Sequence, residues 1–557
     1  MTTLTGILRE HFEADPERVA VYLQQAGQAD LPISYARLLG WASAYADAYA
    51  RRDIQPAEVV ILILEHGESL IDSFYGAILG GQIPAIMPFL TEKLAPERYR
   101  ADLASLISIT RPSAIVTSPE FEPEIRQAVG EGSSVRAILL TSEVGGPRAP
   151  DFDRLPGMAC PPGSITLLQH SSGTTGLQKG VALSHTAILN QIEAYRESIR
   201  LSTDDVIVSW LPLYHDMGLI AGFLMPILTG VPLVLMSPFD WVRAPQRLFL
   251  AVSQYRGTLS WLPNFAYNFC AQKIRDRQIE GVDLSSWRAI INCSEPVRRE
   301  SHELFFEKFQ AYGLKFSALQ TCYAMAENVF GVTQSDLSAG AAVEEVDQPA
   351  FYRDHALRPP VEGNPSLRIM SSGVPLAKTE IKIIGAKGHD LPERQIGEIA
   401  LRSNSMLTGY YHRPDITEKA FCEGWYLTGD LGYLSKRELF VTGRKKDMII
   451  VGGKNIYPQD IEILVNQVSG VHGGRAVAFG VFDEAQGTEE VVVVAEVDEE
   501  SPEGKKTIAD EVRQHVAKNS AVILRTVYLV GPKWLLKTSS GKLARSVNRE
   551  KFLAEIK

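Results

Sequence analysis

Residues 59–79 read VVILILEHGESLIDSFYGAIL. The first six are apolar and mostly β-branched, which marks a short strand buried on both faces. After the break Glu65-His66-Gly67, residues 68–79 carry apolar side chains at helical spacing. The same alternation recurs outward from this unit. Short apolar segments lie at 114–117, 137–140, 206–210 and 233–236, and an amphipathic helical stretch lies at 35–50. Strands and helices in turn predict an α/β fold with largely parallel, buried strands. No repeat of 20 to 50 residues is present, which disfavours solenoids and propellers.

The 557 residues include 56 basic and 66 acidic side chains, for a net charge of −10. At roughly 150 residues per domain they make about three to four domain-equivalents. A 45% hydrophobic share excludes a wholly disordered chain. Surplus acid argues against a nucleic-acid binder, which needs a concentrated basic face. Cys160, Cys270, Cys293, Cys322 and Cys422 are odd in number and scattered, so buried reduced thiols are expected rather than disulfides or a metal site. The first twenty residues mix acids with apolar residues and lack the basic and apolar regions of a signal peptide, so a cytoplasmic protein is expected.

Residues 217–239, MGLIAGFLMPILTGVPLVLMSPF, contain no charge and could span a bilayer by length. Pro226, Gly230, Pro232 and Pro238 would interrupt a single helix, and the flanks are Asp216 and Asp240. A buried helix to about residue 228, a Thr-Gly turn and a buried strand at 231–236 fit better, so no transmembrane segment is expected.

Near residue 443 the texture changes. Shorter strands follow, notably at 491–497, and the charge reverses: residues 483–511 hold eleven acids against two lysines, and residues 533–557 hold seven basic residues against two acids. A small α+β C-terminal domain ending in a basic segment is expected.

The strongest chemical signal is Ser171-Ser172-Gly173-Thr174-Thr175-Gly176-Leu177-Gln178-Lys179-Gly180, which follows an apolar strand at 165–168. Six hydroxyl or glycine residues in a row leave backbone N–H groups free to cradle phosphate oxygens, with Lys179 as a point charge. The spacing is not that of a Walker A loop, because no Ser or Thr follows the lysine.

This run resembles the phosphate loop of the acyl-adenylate-forming superfamily. Six further matches follow in the family's order: Leu211-Pro212-Leu213-Tyr214-His215-Asp216; Tyr323-Ala324-Met325-Ala326-Glu327; Gly397-Glu398-Ile399 with Gly409-Tyr410-Tyr411; Tyr426-Leu427-Thr428-Gly429-Asp430; Gly443-Arg444-Lys445-Lys446-Asp447; and Lys537-Thr538-Ser539-Ser540-Gly541-Lys542. Departures are Gln178, Ala324 and Leu536, none of which removes a charged group. The resemblance implies a large N-terminal body of mixed and parallel sheets in several subdomains (1–443), a hinge at 444–446 centred on Lys446, and a small α+β lid (447–557) that swings after adenylation.

Each match has a physical reading. A carboxylate attacking the α-phosphate of ATP must overcome anion repulsion, and Lys542, Glu327 and Thr175 are the catalytic candidates. Glu327 and Thr175 offer hard oxygens for Mg²⁺. ATP and AMP are expected to meet Ser171, Ser172, Gly173, Thr174, Thr175, Gly176, Lys179, Ser294, Glu295, Tyr323, Asp430 and Arg444. Tyr323 offers adenine a flat face, and Asp430 and Arg444 can serve the ribose. The acyl chain is expected near His215, Gly218 and Asn264, with the charge-free run and residues 261–267 supplying apolar lining. The resemblance also places residues 452–455 on the pantetheine path.

Within the family, residues 263–267, 283–288, 294–298, Ala326 and 457–462 look like fatty acyl-AMP ligases, which pass the adenylate to an acyl carrier protein. The 46-position separation of Glu327 from Gly373 matches an insertion thought to restrain the lid in those enzymes. The expected function is ATP- and Mg²⁺-dependent activation of a medium- or long-chain fatty acid to acyl-AMP and pyrophosphate, followed by transfer to the carrier-protein thiol. A fatty acyl-CoA synthetase, with CoA as the thiol, is the alternative. A non-catalytic acyl- or nucleotide-binding relative is a third reading. The basic segment, through Arg545 and Arg549, is expected to dock the acidic carrier protein.

Overall fold

The computed structural model describes residues 2–91, 96–171, 179–348, 350–351, 356–364, 366–451, 454–483, 488–520, 522–537 and 542–556. It is a mixed α/β protein, as the alternation predicts. Strands form at Val59–Ile63, Ala114–Thr117, Ala137–Leu140 and Leu233–Met236, and helices at Tyr35–Arg51 and Glu68–Gly80. Val59–Ile63 pairs in parallel with Ile83–Ile86 on one side and Ala114–Thr117 on the other, and Ala137–Leu140 extends this four-stranded sheet. All five side chains of Val59–Ile63 are buried, so the β-branched run is satisfied on both faces.

Among the described residues, a nine-stranded sheet forms the centre. Six neighbours in it are parallel: Val19–Gln24, Leu233–Met236, Ile207–Ser209, Leu259–Leu262, Ala289–Asn292 and Leu319–Ala324. Antiparallel strands close both edges, Leu31–Ser34 on one and Gly331–Gln334 with Val374–Pro375 on the other. This topology positions the site. Four adjacent parallel strands end at one edge of the sheet; the segments leaving three of them carry His215, Asn264, and Ser294 with Glu295, and Tyr323 lies near the end of the fourth. Ligands gather outside such carboxyl ends in parallel α/β sheets.

The charge-free run folds into the core. A π-helical stretch, Met217–Leu224, continues as the helix Met225–Thr229, turns at Gly230 with φ +71° and enters the buried strand Leu233–Met236. Pro226 sits at the start of the second helical piece, where a missing N–H is tolerated. Among the described residues no helix is long and apolar enough to cross a membrane.

Beyond the turn Lys445–Asp447, the chain builds separate cores. Val471–Asp483 pairs antiparallel with Thr488–Val497, which pairs in parallel with Thr526–Val530. The helices Pro458–Asn466, Pro502–Asn519 and Arg545–Glu555 complete this part. Cys270, Cys293 and Cys322 are buried thiols as expected; Cys422 is instead exposed, on the short strand Phe421–Cys422.

Candidate active site

One cleft gathers five of the expected nucleotide residues: Ser294, Glu295, Tyr323, Asp430 and Arg444. Their placement follows from the fold. Tyr323 lies on the strand Leu319–Ala324. Ser294 takes φ +70° just beyond Ala289–Asn292, and Glu295 beside it accepts the Phe265 N–H at 2.9 Å. Asp430 and Arg444 stand directly opposite each other on the antiparallel strands Trp425–Ser435 and Glu438–Arg444. Tyr323 Oη donates to Asp430 Oδ2 at 2.6 Å, and Arg444 Nε lies 3.2 Å from Asp430 Oδ1. A half-buried carboxylate between two donors is placed to accept further hydroxyls.

Glu327 sits in the turn Ala326–Asn328, which a strained backbone closes. Val329 has φ +63°, and Phe330 N–H donates to the Asn328 carbonyl at 2.7 Å, a γ-turn that a β-branched residue rarely accepts. Glu327 Oε1 accepts the Tyr410 hydroxyl at 2.8 Å, and Tyr410 Oη lies 2.9 Å from Tyr426 Oη. Lys179 is exposed, with Nζ 4.8 Å from the centre of the Tyr410 ring. Tyr410 thus joins Lys179 of the expected phosphate loop to the Glu327 carboxylate, a link that the motif match alone did not assign. Ser172, Gly173, Thr174, Thr175 and Gly176 lie outside the described residues, as does the side chain of Ser171.

Lys542, from the C-terminal part, lies in the electrostatic field of Glu295 and Arg444, which line the cleft. Burial lowers its pKa most; Glu295 and Asp216 oppose the shift, and Arg444 adds to it. The described residues on either side of 538–541 are tied together. Lys537 bridges Leu543, Leu536 N–H donates to Asn548 Oδ1 at 2.8 Å, and Asn548 Nδ2 donates back to the Leu536 carbonyl at 2.8 Å. Leu536 is a departure from the family's proline, and proline could not supply that N–H. Arg545 is half-buried and pairs with Asp447 at 2.7 Å and Glu462 at 2.8 Å. Those contacts overturn the docking role expected of it, because its guanidinium is spent inside the C-terminal part; Arg549 remains exposed.

His215 Nδ1 lies 2.6 Å from Asp216 Oδ1, and Asp216 also accepts Met217 N–H at 2.8 Å. Burial raises the Asp216 pKa, but His215, Lys542 and the Met217 amide outweigh it and hold the carboxyl below its usual value. Asp216 is therefore an occupied charge. Behind this loop Trp210 and Trp241 stack at 3.5 Å, with Phe265 edge-on to both. Gly218 and Asn264 are given to the scaffold. A Cβ on Gly218 would lie 2.2 Å from the Pro212 carbonyl oxygen. Asn264 donates to Ser301 Oγ and accepts from Asn292 Nδ2 and the Arg298 N–H.

Arg298, Arg368, Gln459 and Asp460 also line the cleft, and sequence reasoning singled out none of them individually. Lys446 lies in the turn Lys445–Asp447, between the strands Glu438–Arg444 and Ile449–Val451. Among the described residues, no group of three or more His, Cys, Asp or Glu side chains could hold a metal. A phosphate-bound Mg²⁺ needs only one or two carboxylates, and Glu327 Oε2 accepts no hydrogen bond from a described residue.

A family model described as AMP-binding enzyme matches residues 8–411. The chain belongs to the AMP-binding enzyme family. It is 30% identical to the medium-chain-fatty-acid–[acyl-carrier-protein] ligase JamA of Moorena producens, over 99% of this chain and 95% of that one. Among solved structures, this AMP-binding enzyme superposes with a TM-score of 0.90 and 26% identity on one from a study of fatty acyl-adenylate ligases from E. coli and L. pneumophila, covering 100% of this chain and 98% of that one. It also matches a fatty acyl-adenylate ligase from L. pneumophila in complex with acyl adenylate and pyrophosphate, with a TM-score of 0.74, 28% identity and coverage of 99% and 96%.

Proposed function

We propose that this AMP-binding enzyme activates a medium- or long-chain fatty acid with ATP, in the cytoplasm, and hands the acyl group to the phosphopantetheine thiol of an acyl carrier protein. The observation that carries the reading is the single cleft that unites Tyr323, Asp430 and Arg444 with Glu295, with Lys542 held in the field of Glu295 and Asp216.

A fatty carboxylate oxygen attacks the α-phosphorus, the bond to pyrophosphate breaks, and pyrophosphate leaves with the electron pair. Tyr323 presents its ring to adenine, and Asp430 and Arg444 hold the ribose. Lys542 places a positive charge where the carboxylate and the α-phosphate meet, and such preorganised donors carry much of the rate. Glu327, with Thr175, would hold Mg²⁺, which when bound offsets phosphate charge. Tyr410 fixes the Glu327 carboxylate for that task.

The acyl chain is assigned to the apolar region behind His215. A binder of amino acids would need an acid to meet the ammonium, and Asp216 is already paired with His215. The body at 1–443, the hinge around Lys446 and the lid at 447–557 let Lys542 withdraw after adenylation. The segment between Glu327 and Gly373 supports the carrier-protein assignment. Gln348 Nε2 donates to the Asn519 carbonyl at 3.1 Å and Phe351 stacks on Tyr457, so the insertion grips the lid.

The test is fatty-acid-dependent ATP–pyrophosphate exchange, then incubation of labelled fatty acid with ATP and either CoA or holo carrier protein. Exchange with acylation of the carrier protein is expected. Rapid acyl-CoA formation would replace the acceptor, and absence of exchange would remove the adenylation reading.

A further inference from the structure

One turn of the C-terminal part, Tyr457 to Asp460, presses against the nucleotide cleft through three kinds of contact. Tyr457 is buried in an apolar cluster with Leu431, Tyr433 and Phe440 and stacks on Phe351 with ring centres 6.2 Å apart. Gln459 Nε2 donates to the Thr442 carbonyl at 2.8 Å. Asp460 Oδ1 lies 3.6 Å from Arg298 Nη2, and both residues line the cleft. The fit is close. A Cβ on Gly443 would stand 2.5 Å from Gln459 Nε2 and 2.7 Å from the Tyr457 ring, distances that real atoms do not adopt.

Arg298 is anchored on the body side. It follows Ser294 and Glu295 in the same loop, and its N–H donates to Asn264 Oδ1 at 3.1 Å, an oxygen that also accepts Asn292 Nδ2 at 3.0 Å. Asp460 is buried, and Arg298 is its cation from across the cleft. Removing one member of a buried pair strands the other charge, so such a pair resists separation far more than a surface one. Its two halves lie on opposite sides of the hinge.

We infer that Arg298 and Asp460 are positioning residues for adenylation: their pair seats the Tyr457–Asp460 turn on the cleft and so fixes the C-terminal part in the orientation that delivers Lys542. The inference rests on the proposed adenylation reading and adds to it the contact that must break before the lid turns to the thiol. Neither side chain is assigned to the reacting atoms.

The full-length protein tests it with two separate rates. One is fatty-acid-dependent ATP–pyrophosphate exchange; the other is single-turnover acyl transfer from synthetic acyl-adenylate to holo carrier protein. The variants are Asp460→Asn, which preserves shape; Gly443→Ala, which wedges the turn outward without touching either charge; Arg298→Glu; Asp460→Arg; and the charge-exchanged double variant that combines the last two. The ratio of exchange to transfer should drop about tenfold in each single variant, a size typical of coupled contacts. The double variant should recover most of the ratio. Exchange and transfer falling by one common factor, or a double variant no better than the two singles combined, would overturn the pair's positioning role. A wild-type protein without exchange would instead refute the adenylation reading itself.

Discussion

Tyr323 donates its hydroxyl hydrogen to Asp430 Oδ2 at 2.6 Å, so the residues proposed for adenine and for ribose form one hydrogen-bonded unit. With Arg444 at the other oxygen, Asp430 already has a donor on each side, and a ribose must share or displace them. Asp430→Ala should therefore raise the KM for ATP by about 10- to 100-fold, the size of one charged hydrogen bond. Tyr323→Phe, which keeps the ring face, should have a smaller effect. Pyrophosphate exchange against ATP concentration measures both. A change confined to the KM for fatty acid would move these residues out of the nucleotide site.

Lys542 should set the alkaline limit of adenylation. Burial lowers its pKa, and a lysine acts here in its protonated form, so activity is present below that pKa and falls as pH rises through it. The limb should thus begin below the range of an ordinary lysine. Lys542→Ala should slow exchange by about 10²- to 10³-fold and remove the limb. Lys542→Arg, whose guanidinium stays charged, should shift it upward. An unchanged limb in Lys542→Ala would assign the titration elsewhere.

The Tyr410–Glu327 contact predicts a graded metal requirement. Tyr410→Phe removes the donor that orients the carboxylate and should raise the Mg²⁺ needed for half-maximal exchange by about 10- to 100-fold. Glu327→Gln should raise it further, and chelation should stop exchange in the wild type. Identical Mg²⁺ titrations in all three proteins would separate Glu327 from the metal.

Local chemistry was legible in the sequence because it is written in neighbouring residues. The run at 59–63 needed only its own β-branched side chains to be read as a buried strand, and the ordered motifs brought Tyr323, Asp430 and Arg444 into view before the fold joined them. Long-range pairings were not legible. Arg298 and Asp460 meet only because two parts of the chain dock, and no periodicity connects them. Arg545 was counted into a basic surface because composition records charge but not its partner, and its partners, Asp447 and Glu462, lie 98 and 83 positions away. Gly218 and Asn264 were expected at the acyl chain, and neither the close backbone approach at Gly218 nor the side-chain network of Asn264 could be read from the sequence.

Asp72 carries a stability prediction away from the site. It is 3% exposed on the helix Glu68–Gly80, and among the described residues its Oδ1 has no hydrogen-bond partner. Burial, reinforced by Glu68 and opposed by Arg37, pushes its pKa up to about 9. An unfolded aspartate ionises near 3.9, so between about pH 4 and pH 9 the folded chain holds a proton that the unfolded chain has released. Unfolding is then favoured increasingly as pH rises through that window. Asp72→Asn keeps the shape and cannot ionise, so its melting temperature should exceed that of the wild type by a margin that widens from pH 5 to pH 8. Thermal melts at several pH values measure the margin. A constant difference across the window would show that Asp72 is ionised in the folded protein, with a charge partner that satisfies it.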